Sequence, residues 1–393
     1  MFSAGLPRRS PFETAIQYNQ NNLSFSSLHH RQPWPGDMTT TSLMASPSAS
    51  RRWPLLGYVE VPRHRLYVKA ATSDWVTGQR PGEMYIAEHL LTTGKHSVTA
   101  IARPSSTSKL SKGVQVVRVD YSGDEDAALV DALRGHEVLI ITISVAARND
   151  TISKFVRAAA KAGVPYVLPN WFGHDATNDT LCNDNLLCHN RDSIGAEIES
   201  LVICSYLLLV CKFWYGFSLG GGLDRYGFDF KKRSFVLFDD DNVAINTSTW
   251  PQCGRAIANL LSLKELPDHE TDGSPTLLQF RNGSIYMSSF RLSQHDMFES
   301  VKRVTGTTDP DWTITHESAE QRWADGQAAL QQGNMKAFPK LLYSRMFFPN
   351  GDGDYQSNPG LHNDLLGLTV EELDESTAIG VPMGENGEVA QSH

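Results

Sequence analysis

Four apolar runs follow one another between residues 97 and 173, and none alternates cleanly between hydrophobic and polar positions. They are SVTAIA (97–102), VQVVRVDY (114–121), EVLIITISVA (137–146) and VPYVLPNWFG (164–173). Runs of this kind are typical of strands buried on both faces, as in parallel sheets whose crossover connections are helices. The pattern therefore predicts four parallel strands.

The segments between these runs have helical character. Residues 124–133 (DEDAALVDAL) and 150–162 (DTISKFVRAAAKA) each begin with Asp, and Gly163 follows the second. Asp is a preferred residue at a helix start, and Gly is a preferred stop. The succession of strands and helices predicts an α/β fold, a Rossmann-type doubly wound parallel sheet whose ligands bind beyond the carboxyl ends of the strands.

The pattern changes after residue 173. A polar loop leads to a helix near residues 193–201 and then to the most apolar run, residues 201–211. That run is about half the ~20 residues that span a bilayer, so it predicts a buried strand. Beyond it we predict a hairpin around residues 239–242, followed by helices and short strands that form a smaller C-terminal α+β substrate lobe.

Composition excludes some partners. The net charge of −9 argues against nucleic acid and against an anionic membrane surface, because an acidic protein repels both. Five irregularly spaced cysteines suggest free thiols in a reducing, cytoplasmic compartment. Cys182, Cys188 and His189 lack the spacing of a metal site, so no metal is expected. A small molecule is the expected partner.

Four long segments, in order along the chain, resemble one family. They are YIAEHLLTTGKHSVTAIARPSS (85–106), AAKAGVPYVLPNWFGHD (159–175), WPQCGRAIANLLSL (250–263) and SSFRLSQHDMFESVKRVTG (288–306). The chain is similar over roughly residues 85–374 to the NmrA-like and isoflavone reductase-like branch of the atypical short-chain dehydrogenases. The resemblance implies NADP(H) as cofactor and an oxidoreductase acting on a small aromatic or secondary metabolite. The alternative it leaves open is a non-catalytic NADP-sensing regulator that binds a protein partner.

The resemblance organises the chain into four parts. Residues 1–65, rich in Ser, Pro, Asn and Arg, are expected to be a disordered N-terminal segment, with an organellar presequence or a wrongly predicted first exon as alternatives. Residues 66–215 would form the NAD(P)-binding domain, and residues 216–373 the substrate lobe with its returning segments. Residues 374–393, with Gly and Glu, are expected to be a flexible tail.

Two departures from the family concern its chemistry. The family's G-x-x-G-x-x-G motif is present only as GQRPG, in which Gly78 and Gly82 precede a helix that Gly94 ends. Glycines at such a turn let backbone N–H groups approach a pyrophosphate, and an ordinary loop is the alternative. The family's catalytic lysine is absent from the matching helix, RDSIGAEIE (191–199). We therefore expect weak cofactor binding and leave catalysis open.

The loop after the second strand carries the cofactor-specificity prediction. Arg103 follows that strand directly, where a guanidinium can bind a 2′-phosphate, and the Ser105 hydroxyl is a further donor. The alternative for Arg103 is a solvated surface residue. After the third run, Ser144 and Val145 are expected to line the cofactor groove.

The fourth run supplies candidates for the nicotinamide and substrate ends. Pro169 and Asn170 are expected beside the nicotinamide, and the next two positions, Trp171 and Phe172, would line the substrate or else belong to the core. His174, with Asp175, is a candidate acid/base group because histidine titrates near neutrality, and a loop cap is the alternative. The GFSLG sequence (216–220) matches the serine hydrolase elbow, but the loop-forming GGLDRYG after it argues against that function.

Overall fold

The computed structural model describes residues 65–71, 81–106, 110–123, 125–143 and 150–389, and only the backbone of residues 65–71, 81–83, 189 and 190. The predicted disordered segment thus lies outside the described residues, apart from Arg65. In the described part of the chain, no helix is both long and apolar enough to cross a membrane.

Fourteen strands occur in the described residues. In chain order they are β1 Arg65–Ala71, β2 His96–Ala102, β3 Gln115–Arg118, β4 Val138–Thr142, β5 Tyr166–Leu168, β6 Phe172–Gly173, β7 Ser205–Val210, β8 Phe213–Trp214, β9 Phe228–Asp229, β10 Ser234–Phe238, β11 Ile245–Ser248, β12 Gly283–Tyr286, β13 Phe290–Leu292 and β14 Thr313–Glu317.

Eleven α-helices accompany them within the same residues. They are α1 Pro81–Thr92, α2 Ala127–Leu133, α3 Thr151–Ala162, α4 Asp179–Asp184, α5 Cys188–Ser200, α6 Tyr215–Leu219, α7 Trp250–Leu261, α8 Gln294–Thr305, α9 Ala319–Gln331, α10 Phe338–Met346 and α11 Leu373–Asn386.

The central sheet is wholly parallel. Its order is β12-β7-β5-β4-β1-β2-β3, with β6 paired to β7 off this path. The four apolar runs form β2, β3, β4 and the β5–β6 segment, so the predicted fold class is confirmed. β4 is buried at every position, whereas β3 is exposed at every position because it is the edge strand.

Helices cover both faces of this sheet. One face packs against α1 and α7 through a cluster that includes Val98, Ile140 and Leu207. The other face packs against α2, α3 and α5. A Cβ on Gly254 of α7 would lie 2.7 Å from the carbonyl oxygen of Tyr85 in α1, so glycine permits the close approach of these two helices. Gly163 ends α3 with φ +80°, as predicted.

The lobe contains two small sheets, ordered β14-β10-β9 and β13-β11-β8. The hairpin predicted around residues 239–242 is therefore wrong, because β10 and β11 lie in different sheets. Asp239 and Asp241 adopt positive φ and turn the chain. The side chain of Gln294 accepts from the N–H of Phe238 at 2.6 Å and donates to the carbonyl of Val236 at 3.0 Å. β10 pairs instead with β9, which precedes it, and in parallel with β14.

The tail predicted from residue 374 is also wrong for residues 374–386, which belong to α11. Thr377 is buried in this helix, and Asp374 accepts from the Arg303 guanidinium at 2.7 Å. A Cβ on Gly380 would lie 2.8 Å from the carbonyl oxygen of Gly216, so this glycine serves close helix packing. The glycines suggested a flexible end because glycine is used both in flexible segments and where two helices approach closely.

Candidate functional site

The carboxyl ends of β1, β2, β4, β5 and β7 meet along one edge because the sheet is parallel. The strand order reverses between β1 and β4, and such a switch point leaves a crevice for ligands in doubly wound folds. The residues that follow the strands at this edge are Arg103, Ile143, Pro169 and Lys212. The candidate site is therefore built along this edge.

The pyrophosphate end is described only in part. Gly78, Ser144 and Val145 lie outside the described residues. Gly82 is the second residue of α1, in the first turn of that helix. Backbone N–H groups at a helix start suit an anion, so α1 is oriented as a dinucleotide-binding fold requires.

The loop after β2 carries Arg103, which is half-buried, and Ser105, which is exposed. The N–H of Ser106 donates to the carbonyl of Arg103 at 3.0 Å and closes a tight turn. Sequence analysis missed Arg118, the last residue of β3, which donates to carbonyls of this loop. No sequence signal marked it, because the apolar run predicted as this strand extends to residue 121.

The ends of β4 and β5 are tied together. Pro169 is buried, and the Asn170 side chain donates to the carbonyl of Ile143 at 3.1 Å. Asn170 thus lies at the crevice beside the end of β4. That position is compatible with the predicted nicotinamide contact.

The two predicted substrate-lining aromatics differ. The Trp171 indole N–H donates to the carbonyl of His174 at 3.1 Å, and the two rings meet edge-on with centroids 5.2 Å apart. Phe172 packs against the core cluster of the sheet. The core alternative therefore suits Phe172, while the half-buried Trp171 still lies at the carboxyl edge.

The structure argues against the predicted acid role of His174. The side chain is buried, and its Nε2 has no hydrogen-bond partner among the described residues. Burial, together with the nearby charges of Lys212, Arg191 and Arg345, lowers the pKa of His174 to about 3. A neutral imidazole is a far weaker acid than an imidazolium, so His174 is poorly suited to give a proton at pH 7.

Asp175 forms no acid/base pair with His174. Its Oδ1 accepts from the N–H and hydroxyl of Thr177, at 2.9 and 2.8 Å, and from the hydroxyl of Tyr286 at 2.8 Å. Within the described residues no hydrogen bond joins the two side chains. Asp175 therefore caps the loop that follows β6.

Lys212 lies where the chain passes from the central sheet to the lobe. The sequence analysis did not identify it as a candidate functional residue. It lies two residues after the end of β7 and directly before β8, and it adopts φ +53°, a strained value for a residue with a side chain. Its N–H donates to the carbonyl of Gly173 at 2.9 Å. The sequence signal was a lysine placed directly after the most apolar run.

The Lys212 ammonium is buried, with the residue 3% exposed. Nζ donates to the carbonyl of Asp352 at 3.2 Å and lies 5.6 Å from the ring centroid of Tyr355. Burial lowers the pKa of Lys212 to about 7, although the carboxylates of Asp352, Asp354 and Asp175 oppose that change. An ammonium has three N–H donors, and the described residues use one of them.

Other buried polar groups surround Lys212. Arg345 is 1% exposed and binds Asp184 through Nε at 2.7 Å and Asp352 through Nη2 at 2.6 Å. Its Nη1 and both amide atoms of Asn185 have no partner within the described residues. Buried polar atoms of this kind are usually paired with ordered water or with a polar ligand group.

Three other candidate chemistries, a lysine on α5, a serine nucleophile and a metal site, find no support in the described residues. On α5, where the family carries its lysine, Arg191 binds Asp179 at 2.8 Å, Asp192 at 2.6 Å and the carbonyl of Ala176 at 2.6 Å. Ser218 of the GFSLG sequence is fully buried within α6, 2.8 Å from the Tyr343 hydroxyl, so it is not an exposed nucleophile. The described residues hold no cluster suited to a metal ion.

A half-buried aromatic cluster begins two residues after Lys212. Trp214, Phe217 and Trp250 form it, with ring centroids 5.8 to 6.3 Å apart. Trp250 is the first residue of α7, the helix that packs along α1. The cluster offers an apolar, aromatic surface where the lobe meets the sheet.

Comparison with known proteins identifies the domain at this edge. Residues 84–177 match the family model described as NAD(P)H-binding. The matched segment begins after the glycine turn and contains Arg103 and the loop that follows β5. The chain thus carries an NAD(P)H-binding domain of Rossmann type.

The whole described fold is similar to that of isoflavone reductase-like enzymes. A structure among those of pinoresinol-lariciresinol and phenylcoumaran benzylic ether reductases aligns with a TM-score of 0.60 at 16% identity, covering 80% of this chain and 98% of that one. An isoflavone reductase structure aligns with a TM-score of 0.56 at 18% identity, over 79% and 98%. The triphenylmethane reductase of Citrobacter sp., in complex with NADP(H), gives 0.54 at 18%, over 79% and 99%.

One relative was found by sequence. It is the oxidoreductase aprR of Aspergillus flavus, 24% identical over 297 residues, which cover 72% of this chain and 90% of the relative. The resemblance to isoflavone reductase-like proteins noted in the sequence is confirmed by these comparisons.

Proposed function

We propose that this protein is an NADP(H)-dependent reductase of a small aromatic secondary metabolite. The observation that carries the proposal is the position of the NAD(P)H-binding match, residues 84–177, on the sheet edge that adjoins Lys212 and the aromatic cluster. A flat aromatic substrate would pack on Trp214 and Trp250. The oxidoreductase relative and the reductases of the same fold support this class of reaction.

NADP(H) is preferred to NAD(H) in this proposal. Arg103 follows β2, where an NAD-specific site would have a carboxylate for the ribose hydroxyls. The solved relative that holds NADP(H) has the same fold. Bound in the crevice, the reduced cofactor would supply a hydride.

Lys212, and not His174, is proposed as the proton donor. Hydride addition to a conjugated or carbonyl carbon pushes an electron pair onto the substrate oxygen, which then needs a proton. A buried ammonium with unused N–H donors and a pKa near 7 suits that task, whereas His174 is neutral at this pH. After the transfer, solvent would return the proton to the lysine amine.

The test measures NADPH binding and NADPH oxidation separately. Binding is followed by calorimetry, and oxidation is followed with a quinone, an isoflavone, pinoresinol and a triphenylmethane dye as acceptors. Lys212→Met should bind NADPH as the wild type does and lose about 10²- to 10⁴-fold in kcat, the usual contribution of a general acid. The matched control is Lys161→Met, because Lys161 lies in the last turn of α3, away from the carboxyl edge.

Each result tests a different part of the proposal. Absence of NADPH binding contradicts the cofactor assignment. Binding without oxidation of any acceptor favours the non-catalytic sensor over the reductase. Oxidation by Lys212→Met at the wild-type rate removes Lys212 from the mechanism while the reductase function stands.

A further inference from the structure

The Lys212 ammonium is held by the segment that follows α10. Its Nζ donates to the backbone carbonyl of Asp352 at 3.2 Å. The next residue of the segment, Gly353, accepts through its own carbonyl from the N–H of Asn246 in β11 at 2.9 Å. The backbone that holds the ammonium is therefore tied to a strand of the lobe.

Three side chains donate to the carboxylate of Asp352. Oδ1 accepts from the amide of Asn178 at 2.7 Å, and Oδ2 accepts from Nη2 of Arg345 at 2.6 Å and from the amide of Asn350 at 2.8 Å. Asn178 caps the start of α4 and Arg345 lies in α10, so one carboxylate joins two helices to the segment that holds the lysine. Burial alone would raise the pKa of Asp352, but the hydrogen bonds from Arg345 and Asn178 bring it below its ordinary value. The carboxylate is therefore charged at neutral pH.

Charged and titratable groups from several segments act on Lys212. They are Asp352 and Asp354 after α10, Tyr355 next to them, Asp175 and His174 after β6, and Arg345 in α10. Burial lowers the pKa of Lys212, and among the carboxylates Asp352 opposes that change most. Arg345 acts in the same direction as burial, but its charge is paired with two carboxylates. Asp352 thus both contacts the ammonium and favours its charge.

We propose, on the basis of the proposed reductase function, that Asp352 is a positioning residue for Lys212. Its backbone carbonyl fixes the direction of the ammonium, and its carboxylate supplies the negative charge that keeps the ammonium protonated in a buried site. Asp352 acts through the lysine and not on the substrate. The alternative is a structural role, in which Asp352 serves only as the partner of Arg345.

The test measures Lys212 itself, so it needs neither cofactor nor substrate. NMR of the full-length chain with isotope-labelled lysine follows the Lys212 side chain through a pH titration, and Lys212→Met identifies its signal. Asp352→Asn keeps the shape of the side chain and removes its charge, so it should lower the pKa of Lys212 by about one unit. The fall of kcat for NADPH oxidation with rising pH should begin at a pH lower by the same amount.

Two variants separate the charge of Asp352 from its part in the fold. Asp352→Glu keeps the charge and should restore most of the wild-type pKa of Lys212. Asp374→Asn is the matched control, because Asp374 also accepts from an arginine, Arg303, at 2.7 Å, but belongs to α11 and not to the segments around the lysine. It should leave the pKa of Lys212 unchanged.

Asn350→Ala tests the backbone contact without altering a buried side chain. Asn350 is exposed, and its side chain accepts from the N–H of Asp352 at 3.1 Å as well as donating to the carboxylate. Its loss should loosen the carbonyl that holds Nζ, so proton exchange at Nζ should accelerate several-fold while the pKa of Lys212 changes little. This variant decides the inference where Asp352→Asn does not fold.

Three results would overturn the inference. They are an unchanged pKa of Lys212 in folded Asp352→Asn, equal shifts in Asp352→Asn and Asp374→Asn, and unaltered proton exchange in Asn350→Ala. If Lys212 responds as expected but no acceptor is reduced, the coupling of Asp352 to Lys212 stands and the proposed function fails. Oxidation of NADPH together with an unchanged pKa in Asp352→Asn has the opposite meaning.

Discussion

The two ends of the carboxyl edge hold their cations in opposite ways. At the outer end, defined by Arg103 and Arg118 beside β2 and β3, the side chains are half-buried or exposed. At the inner end, defined by Lys212 and Arg345 beside β7, the cations are almost inaccessible to solvent. Solvent screens the charge of an exposed cation, so such a side chain can bind a ligand with little effect on the free energy of unfolding. A buried cation contributes to the free energy of unfolding, and burial also changes its pKa.

The largest expected effect is on stability at the inner end. Arg345→Met removes one partner from Asp184 and Asp352 in a buried region, and breaking such pairs costs about 3 to 5 kcal/mol. At the outer end Arg118→Met should change the free energy of unfolding by no more than about 0.5 kcal/mol. Urea unfolding of both variants measures the contrast. Similar values for the two would abolish the distinction.

The second prediction concerns pH. If Lys212 gives the proton, kcat should fall as the pH rises through about 7, because the ammonium is the active form. Each pH unit above that value should cost about tenfold. Lys212→Arg, which stays protonated, should lack this decline whatever its absolute rate. A wild-type profile that is flat between pH 6 and 9 would argue against Lys212.

The third prediction tests recognition at the outer end. Arg103→Ala should weaken NADPH binding at least about tenfold and leave NADH affinity nearly unchanged, because only NADPH carries the 2′-phosphate. Thermal unfolding should show a much smaller loss of stability than in Arg345→Met. Equal weakening for the two cofactors would make Arg103 a structural residue.

The last prediction concerns acid stability at the inner end. The pKa of His174 is about 3 in the folded chain and 6.5 when unperturbed, so the unfolded chain binds the proton first. Protonation should therefore cost stability as the pH falls from about 6.5 toward about 3. His174→Gln should lose less stability over that range than the wild type does. His269→Gln, at an exposed position, should behave as the wild type, and an identical acid response of all three proteins would contradict the burial argument.

Most of the sheet could be predicted because its strands are local patterns. The runs at residues 97–102 and 137–146 are apolar enough to require burial on both faces, and β2 and β4 occupy them. The edge position of β3 could not be predicted, because a valine-rich run is the same whether or not another strand lies beside it. The segment order also indicated the family.

The outer end of the site was accessible to sequence reasoning for a similar reason. Arg103 directly follows the run that forms β2, and neighbouring residues in the sequence are enough to indicate where that strand ends. A parallel sheet then places each residue that follows a strand at its carboxyl edge. Arg118 was missed because it lies inside the predicted run 114–121, and only the structure shows that β3 ends there.

The sequence by itself determined the alternation of strands and helices, the class of fold and the position of Arg103, because each depends on residues close together in the chain. Only the tertiary structure decided the state of Lys212. Its environment comes from Asp352, 140 positions away, and from the segment around Gly173. Burial and the resulting fall in its pKa are properties of that assembly, so no local pattern could reveal them.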